Sequence, residues 1–292
     1  MTTPGEPLSR GVGGESGGVF GGDHLFRPEL VASDLDGTLL PPSLEFAPST
    51  IAGVARLRSA GVPFVMVTGR MFKSARRMAT RLGLSEGPII CYQGALLADL
   101  GSGRWLRHLP IPPGPAADVV RVCRELRRHV NVYVGDELYV EEDDMWARRY
   151  AEYAEVGMNV VDDLVEVVAR WPTKIVIASE PDDIARLLPD LQRRWQGELY
   201  VTRSLPHFIE VSDPHATKSE ALGHLCTMLR ARRERTVACG DGLNDVDMVE
   251  WAGLGVVVAE ASDEVRRTAD LVVGRDRLGE LFDALADAPP RL

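Results

Sequence analysis

Short apolar runs alternate with amphipathic stretches from residue 29 onward. Runs of strand length at Glu29–Asp34, Val62–Thr68 and Pro88–Tyr92 predict buried strands. Helical spacing predicts helices over Pro48–Ala60 and Met71–Leu82, each followed by a glycine that can end a helix. This order of strands and helices is typical of a parallel sheet with helices on both of its faces.

The same rhythm returns near the end of the chain. The predicted elements there are helices at Lys218–Arg232, Asn244–Trp251 and Leu278–Ala286 and strands at Thr236–Gly240 and Gly255–Val258. We therefore expect residues 29–94 and 204–292 to form one core domain. Its fold class would be α/β, a doubly wound and mostly parallel, Rossmann-like sheet.

The middle of the chain, residues 95–203, has a different rhythm. Its predicted helices are Ala116–His129, Met145–Glu155 and Ile184–Trp195, and its predicted strands are Asn131–Val134, Glu137–Val140, Lys174–Ser179 and Glu198–Thr202. This pattern favours an inserted α+β domain. Residues 1–28 are rich in glycine and poor in apolar side chains, so we expect a flexible tail there.

Composition limits the partners and the compartment. The formal charge of −10 argues against general affinity for nucleic acid or for an anionic membrane. The four cysteines form no CxxC pair, and no apolar run is long enough for a membrane span or a secretory signal, so a cytoplasmic protein is expected. The sequence leaves the oligomeric state open.

Polar residues collect at the expected carboxyl ends of the core strands, where open α/β sheets bind ligands. Asp34 and Asp36 follow the first strand, and Gly37 lets the backbone approach a ligand closely. Alone, such a pair of aspartates most often caps a turn. Asp241, Asn244 and Asp245 follow another strand, and together these hard oxygen ligands favour a Mg²⁺ site.

Two further positions suit the binding of a phosphoryl group. Thr68 offers a hydroxyl, and Gly69 exposes its backbone N–H, so together they could hold a phosphoryl oxygen. Lys218 lies at the start of a predicted helix and could offset the charge of a transferring phosphoryl group. Lys174 opens a strand of the inserted domain without a motif partner, and we interpret it as structural.

These residues resemble the four motifs of the haloacid dehalogenase-like phosphatases. The matching segments are Asp34-Leu-Asp-Gly-Thr-Leu-Leu40, Thr68-Gly-Arg70, Lys218 and Gly240-Asp-Gly-Leu-Asn-Asp-Val-Asp-Met248. The inserted domain lies between the second and third motifs, as in the Cof-type branch with its large α+β cap. The resemblance covers about residues 29–288. The chain departs from the branch at Gln93-Gly94, at His215-Ala-Thr217 and at Leu243.

The resemblance implies a mechanism and a set of roles. Asp34 would attack phosphorus and form an aspartyl-phosphate, while Asp36 would act as general acid and then as general base. Mg²⁺ would be held by Asp34, the Asp36 carbonyl and Asp241, with Asp245 either a ligand or one shell out. Thr68, Gly69, Lys218 and Asn244 would bind the phosphoryl group.

The expected activity is hydrolysis of a small phosphorylated metabolite, such as a sugar phosphate, a polyol phosphate or a phosphorylated cofactor. Two alternatives remain at this point. A phosphomutase would use the same core and return the phosphoryl group to its substrate. A regulatory module that binds a phosphorylated ligand would have lost turnover.

Overall fold

A computed structural model describes residues 25–289 of the chain. The strands of its larger sheet are β1 (Leu30–Asp34), β2 (Phe64–Val67), β3 (Pro88–Cys91), β4 (Leu96–Asp99), β5 (Trp105–His108), β12 (Thr236–Gly240), β13 (Leu254–Val258) and β14 (Leu271–Val273). The strands of its smaller sheet are β6 (His129–Val134), β7 (Glu137–Val140), β8 (Met158–Val160), β9 (Lys174–Ala178), β10 (Tyr200–Leu205) and β11 (Phe208–Ser212).

The α-helices follow the expected pattern closely in the core. They are α1 (Pro48–Ser59), α2 (Phe72–Arg81), α3 (Pro113–Glu125), α4 (Met145–Ala154), α5 (Leu164–Val168), α6 (Pro181–Arg194), α7 (Lys218–Leu229), α8 (Val246–Trp251), α9 (Asp263–Arg266) and α10 (Leu278–Asp287). Within residues 25–289, no helix combines the length and the apolar character needed to cross a bilayer.

The larger sheet has the order β14-β13-β12-β1-β2-β3-β4-β5. The six strands from β14 to β3 run parallel, and β4 and β5 add an antiparallel edge. Alternate residues of a strand point to opposite faces, so β1 buries Val31 on the side of α1, α2 and α10 and buries Leu30 and Ala32 on the side of α7 and α8. The expected doubly wound α/β core is confirmed, and the carboxyl ends of β1, β2 and β12 meet at one edge.

The smaller sheet has the order β10-β11-β9-β6-β7-β8, and every pair of neighbours except β7 and β8 is antiparallel. One face of this sheet packs under α3, α5 and α6, around residues such as Val132 and Ile175. Its other face contributes Tyr133 and Phe208 to the apolar cluster that it shares with the core. The inserted α+β unit is therefore present as expected.

Strand pairing differs from the expectation at both junctions of the inserted unit. The segment 95–108, expected in the inserted domain, forms β4 and β5 of the core sheet. Residues 208–212, which were expected in the core and for which no strand was predicted, form β11 of the smaller sheet. A strand's hydrophobic pattern does not reveal which sheet edge it will join, so sequence could not decide this. We propose junctions near residues 109 and 213.

Two local expectations also change. Residues 1–24 of the predicted tail lie outside the described residues, but Phe26 is buried in the core and the Arg27 N–H donates to the Pro289 carbonyl at 2.9 Å. Helix α3 ends at Glu125 rather than at His129. Arg127 adopts a left-handed conformation, with φ +54°, and the chain then turns into β6.

Candidate active site

Asp34 and Lys218 form the buried centre of the site. Asp34 is the last residue of β1, and Lys218 is the first residue of α7, whose N-cap is Thr217. Lys218 Nζ donates to Asp34 Oδ1 at 2.5 Å and to Asp245 Oδ1 at 2.6 Å. All three side chains are almost completely buried, so these charges interact with little screening by solvent.

Asp245 and Asp241 complete the group from the loop after β12. Asp245 Oδ2 accepts the backbone N–H groups of Asp241 and Gly242, at 3.0 and 2.9 Å. Asp241 Oδ1 accepts the Thr38 hydroxyl at 2.8 Å. Carboxylate oxygens of Asp34, Asp241 and Asp245 lie within 4.8 Å of one another. The structure therefore brings three predicted aspartates to one point.

The charges of this group are unbalanced. Burial raises the pKa of Asp34 well above its usual value; Lys218 lowers it, and Asp245 and Asp241 raise it. Burial also raises the pKa of Asp241. The hydrogen bond from Thr38 lowers this pKa, but burial has the larger effect. Burial lowers the pKa of Lys218, but Asp245 and Asp34 outweigh it, so its pKa is raised overall. One ammonium thus faces three carboxyl groups.

The donor set fits a small divalent cation. Three ionised aspartates and one lysine would leave an excess of two negative charges, which a divalent cation would neutralise. Carboxylate oxygens are the ligands that Mg²⁺ prefers. Gly37 lies against this group with φ +95°, and a Cβ atom there would be 2.2 Å from Asp241 Oδ2. Glycine is therefore required where the loop after β1 passes the carboxylates.

Asp36 stands apart from the other aspartates and is paired with Arg70. Arg70 Nη2 donates to Asp36 Oδ1 at 2.6 Å, and Arg70 Nε donates to Asp36 Oδ2 at 2.8 Å. This bidentate pair engages both carboxylate oxygens. The Asp36 side chain is 40% exposed, whereas the Arg70 side chain is 16% exposed. Both Asp36 oxygens are therefore engaged by Arg70 in this arrangement.

Thr68, Gly69 and Asn244 meet around a residue that the sequence did not single out as functional. Thr68 Oγ1 accepts the Arg70 N–H at 3.1 Å, so the Thr68 hydroxyl hydrogen can point elsewhere. Gln93 Oε1 accepts Asn244 Nδ2 at 3.2 Å, and a Cβ atom on Gly69 would be 2.4 Å from Gln93 Nε2. Gln93 thus bridges the loops after β2 and β12.

The sequence marked Gln93 by its place after the third core strand and by the departure from the branch at Gln93-Gly94, but neither signal indicated a functional role. Gln93 has φ +58° and follows Tyr92 with φ +52°, and such strained backbone is concentrated at functional sites. This strain is seen in the backbone angles of the structure, and it could not be predicted from the sequence. The pairing of Arg70 with Asp36 was equally hidden, although both residues lie in predicted motifs.

Comparison with known proteins places this geometry in a family. A family model described as haloacid dehalogenase-like hydrolase matches residues 31–277. Pyridoxal phosphate phosphatase YbhA of Escherichia coli is 29% identical over 257 residues, covering 84% of this chain and 93% of that protein. The 5-amino-6-(5-phospho-D-ribitylamino)uracil phosphatase YitU of Bacillus subtilis is 27% identical, covering 84% of this chain and 91% of that protein.

A solved structure supports the same relationship. The crystal structure of TM0651 from Thermotoga maritima superposes with a TM-score of 0.80 at 28% identity. The match covers 89% of this chain and 97% of that one. It therefore extends over both sheets, the inserted one included.

Proposed function

The chain belongs to the haloacid dehalogenase-like hydrolases, and from this premise we propose that it is a phosphatase that hydrolyses monoesters of small phosphorylated metabolites. The observation that carries the proposal is the buried group at the strand ends. Asp34, Lys218, Asp241 and Asp245 converge there from three separate segments. A nucleophile, a fixed positive charge and hard metal ligands thus lie within reach of one phosphoryl group.

The first half-reaction belongs to Asp34 and Asp36. A carboxylate oxygen of Asp34 attacks phosphorus, and the bond between phosphorus and the ester oxygen breaks. Asp36 gives its proton to that departing oxygen after its side chain has left Arg70. The product is an aspartyl-phosphate on Asp34 and a free alcohol.

The second half-reaction regenerates the enzyme. A water oxygen attacks phosphorus while Asp36 accepts a proton from that water. The bond between phosphorus and Asp34 breaks, and inorganic phosphate leaves. Thr68, the Gly69 N–H, Lys218 and Asn244 orient the phosphoryl oxygens in both steps, and Lys218 offsets part of their negative charge.

The cation belongs to the same proposal. The carboxylates of Asp34, Asp241 and Asp245 and the backbone carbonyl of Asp36 would hold Mg²⁺. When bound, Mg²⁺ would supply the Lewis acidity that stabilises charge on the phosphoryl oxygens. The protein's own contribution is to hold these three carboxylates and the Lys218 ammonium together in a largely buried group.

The site defines the phosphoryl group of the substrate better than it defines the leaving group, the alcohol part of the ester. The names of two relatives specify pyridoxal phosphate and a phosphorylated ribitylaminouracil. We propose that phosphorylated cofactors and their precursors, together with sugar and polyol phosphates, form the range to test. A panel of these esters, incubated with Mg²⁺ and read as released phosphate, would rank them. Phosphate retained and returned to the substrate would instead identify a phosphomutase.

Replacing the nucleophile tests the mechanism. Asp34→Asn keeps an oxygen that can accept from Lys218 but cannot form the aspartyl-phosphate. We expect phosphate release from an activated aryl phosphate to fall about a thousandfold or more. The circular dichroism spectrum should match that of the wild type. Activity near the wild-type level in the variant would remove Asp34 as the nucleophile.

A further inference from the structure

The loop that carries Thr68, Gly69 and Arg70 is bonded to the inserted domain at two points. The first is the turn between β6 and β7, where Gly135 and Asp136 have φ +60° and +62°, as in a two-residue hairpin turn. Asp136 Oδ1 accepts the Phe72 N–H at 2.9 Å, and Asp136 Oδ2 accepts the Lys73 N–H at 2.8 Å. A side chain of the inserted domain therefore binds the start of core helix α2.

Helix α2 lacks a side-chain cap of its own. Met71 occupies its N-cap position and makes no capping hydrogen bond. The first N–H groups of a helix need acceptors, and a carboxylate there also interacts favourably with the helix dipole. Asp136 meets both needs, and the Tyr92 hydroxyl donates to it at 2.7 Å. Asp136 itself is only 4% exposed, so its charge depends on these core partners.

Lys174 forms the second contact, at the other end of the same loop. Its Nζ donates to the Gly69 carbonyl at 3.3 Å and to Glu210 Oε1 at 3.2 Å. Nζ also lies 5.8 and 5.5 Å from the ring centroids of Tyr92 and Tyr133. Lys174 is 5% exposed. The structural role expected from the sequence thus includes a direct bond to the proposed phosphoryl-binding loop.

The two contacts enclose the residues that matter for catalysis. Lys174 holds the carbonyl of Gly69, and Asp136 holds the amides of Phe72 and Lys73. Arg70 lies between them and pairs with Asp36. A loop this short, fixed at both ends, has little freedom to shift. The position of the inserted domain is therefore transmitted to the Thr68–Arg70 backbone.

We propose that Asp136 and Lys174 are positioning residues, through which the docked inserted domain holds residues 68–73 in the geometry that binds the phosphoryl group. This inference rests on the proposed phosphatase function. Neither residue touches the reacting atoms. Both act through the backbone that carries Thr68 and Gly69, so a loosened loop should slow the chemical step more than it weakens binding.

The role of Asp136 is tested by comparing Asp136→Asn with a control substitution at the next residue, Glu137. Asparagine offers one acceptor oxygen, so it can bind only one of the two amides and turns an N–H₂ group toward the other. We expect kcat to fall about 10- to 100-fold, with a smaller change in KM. Glu137→Gln is the matched control, because Glu137 also joins the domains, but through the exposed side chain of Lys73. Its kcat should stay at the wild-type value.

Amide hydrogen exchange supplies a readout that does not need turnover. The amides of Phe72 and Lys73 should exchange faster in Asp136→Asn and at the wild-type rate in Glu137→Gln. Unchanged exchange in Asp136→Asn, or an equal fall of kcat in both variants, would overturn the inference. If Asp136→Asn does not fold, Tyr92→Phe removes only the hydroxyl bond to Asp136 and should change kcat and exchange in the same direction.

The role of Lys174 is tested by removing its positive charge and then by restoring that charge with arginine. Lys174→Met combined with Glu210→Gln removes the buried pair without leaving one charge alone. We expect a lower kcat in this double variant and partial recovery with Lys174→Arg in the presence of Glu210. Wild-type kcat in the double variant would exclude Lys174 as a positioning residue. If the wild type itself released no phosphate while the exchange differences persisted, the phosphatase proposal would fail and the loop contacts would stand.

Discussion

At the scale of single residues, the site depends on the close approach of backbone to charge. Gly37 passes Asp241 so closely that any side chain would overlap the carboxylate. Its positive φ also disfavours every residue with a Cβ atom. The sequence led us to expect a close approach at Gly37 to a ligand. In the structure, the atoms nearest to a Cβ atom on Gly37 belong instead to the carboxylate of Asp241, which is proposed to bind the metal.

Gly37→Ala should therefore damage both stability and activity. The φ alone costs about 1–3 kcal/mol for a residue other than glycine, and the Cβ atom must displace Asp241. We expect phosphate release to be lost and the unfolding temperature to fall. Gly83→Ala is the control, because Gly83 has φ +84° but, within residues 25–289, no atom other than those of its chain neighbours lies within 4 Å of the place that a Cβ atom would take. It should lose stability and keep its activity, and equal activity in both variants would contradict the argument.

At the scale of elements, helix α7 places the buried lysine. Its N-cap is Thr217, whose hydroxyl oxygen accepts the Glu220 N–H at 3.2 Å, and Lys218 follows directly. Gly94 lies against Thr217, since a Cβ atom on Gly94 would be 2.1 Å from the Thr217 carbonyl oxygen. The start of α7 is thus held by its N-cap residue and by the loop after β3. These contacts also set the position of Lys218, the first residue of the helix.

The cap of α7 can be tested by a pair of substitutions. Thr217→Ala removes the capping oxygen and should lower the free energy of unfolding by about 1 kcal/mol. We also expect a modest fall in kcat, since the first turn carries Lys218. Thr217→Ser keeps the oxygen and should resemble the wild type in both respects. Denaturant unfolding and steady-state kinetics measure the two effects, and identical behaviour of alanine and serine would refute a capping role.

At the scale of the whole molecule, an acidic chain places an excess of negative charge in one largely buried group. The chain carries a formal charge of −10, and three of its aspartates meet beside one lysine. A carboxyl group whose pKa is raised by folding binds its proton more tightly in the folded state. Its stabilising contribution is complete below its unfolded value, about pH 4, and is lost as the pH rises through the folded-state pKa.

Metal and pH should therefore act on stability in a linked way. In EDTA, the raised pKa values of Asp34 and Asp241 should make the unfolding temperature fall as the pH rises from about 4. Mg²⁺ at neutral pH should raise the unfolding temperature, because at one hundred times Kd it adds about 2.7 kcal/mol to the free energy of unfolding. EDTA should stop turnover. Asp241→Asn should flatten the pH dependence and weaken the response to Mg²⁺. Full activity in metal-free buffer would exclude the proposed metal.

The local elements and the positions of the polar strand ends could be predicted from the sequence. Apolar runs located β1, β2 and β12, and the motif residues Asp34 and Lys218 were found where the structure brings them together. These features are local, because hydrophobic periodicity and motif spacing are properties of neighbouring residues. The inserted domain was predicted from the change of rhythm over residues 95–203, and the resemblance to the family followed from the four motifs and their order.

Tertiary structure alone decided the contacts between distant parts of the chain. It assigned β4 and β5 to the core sheet and β11 to the inserted one. It also joined Gln93 to Asn244 across 151 positions and Asp136 to Phe72 across 64. Neither pair has a spacing or periodicity that marks it in the sequence. Such contacts arise only when packing brings distant loops together, within the core for Gln93 and between the domains for Asp136. These positioning residues therefore became visible only in the folded molecule.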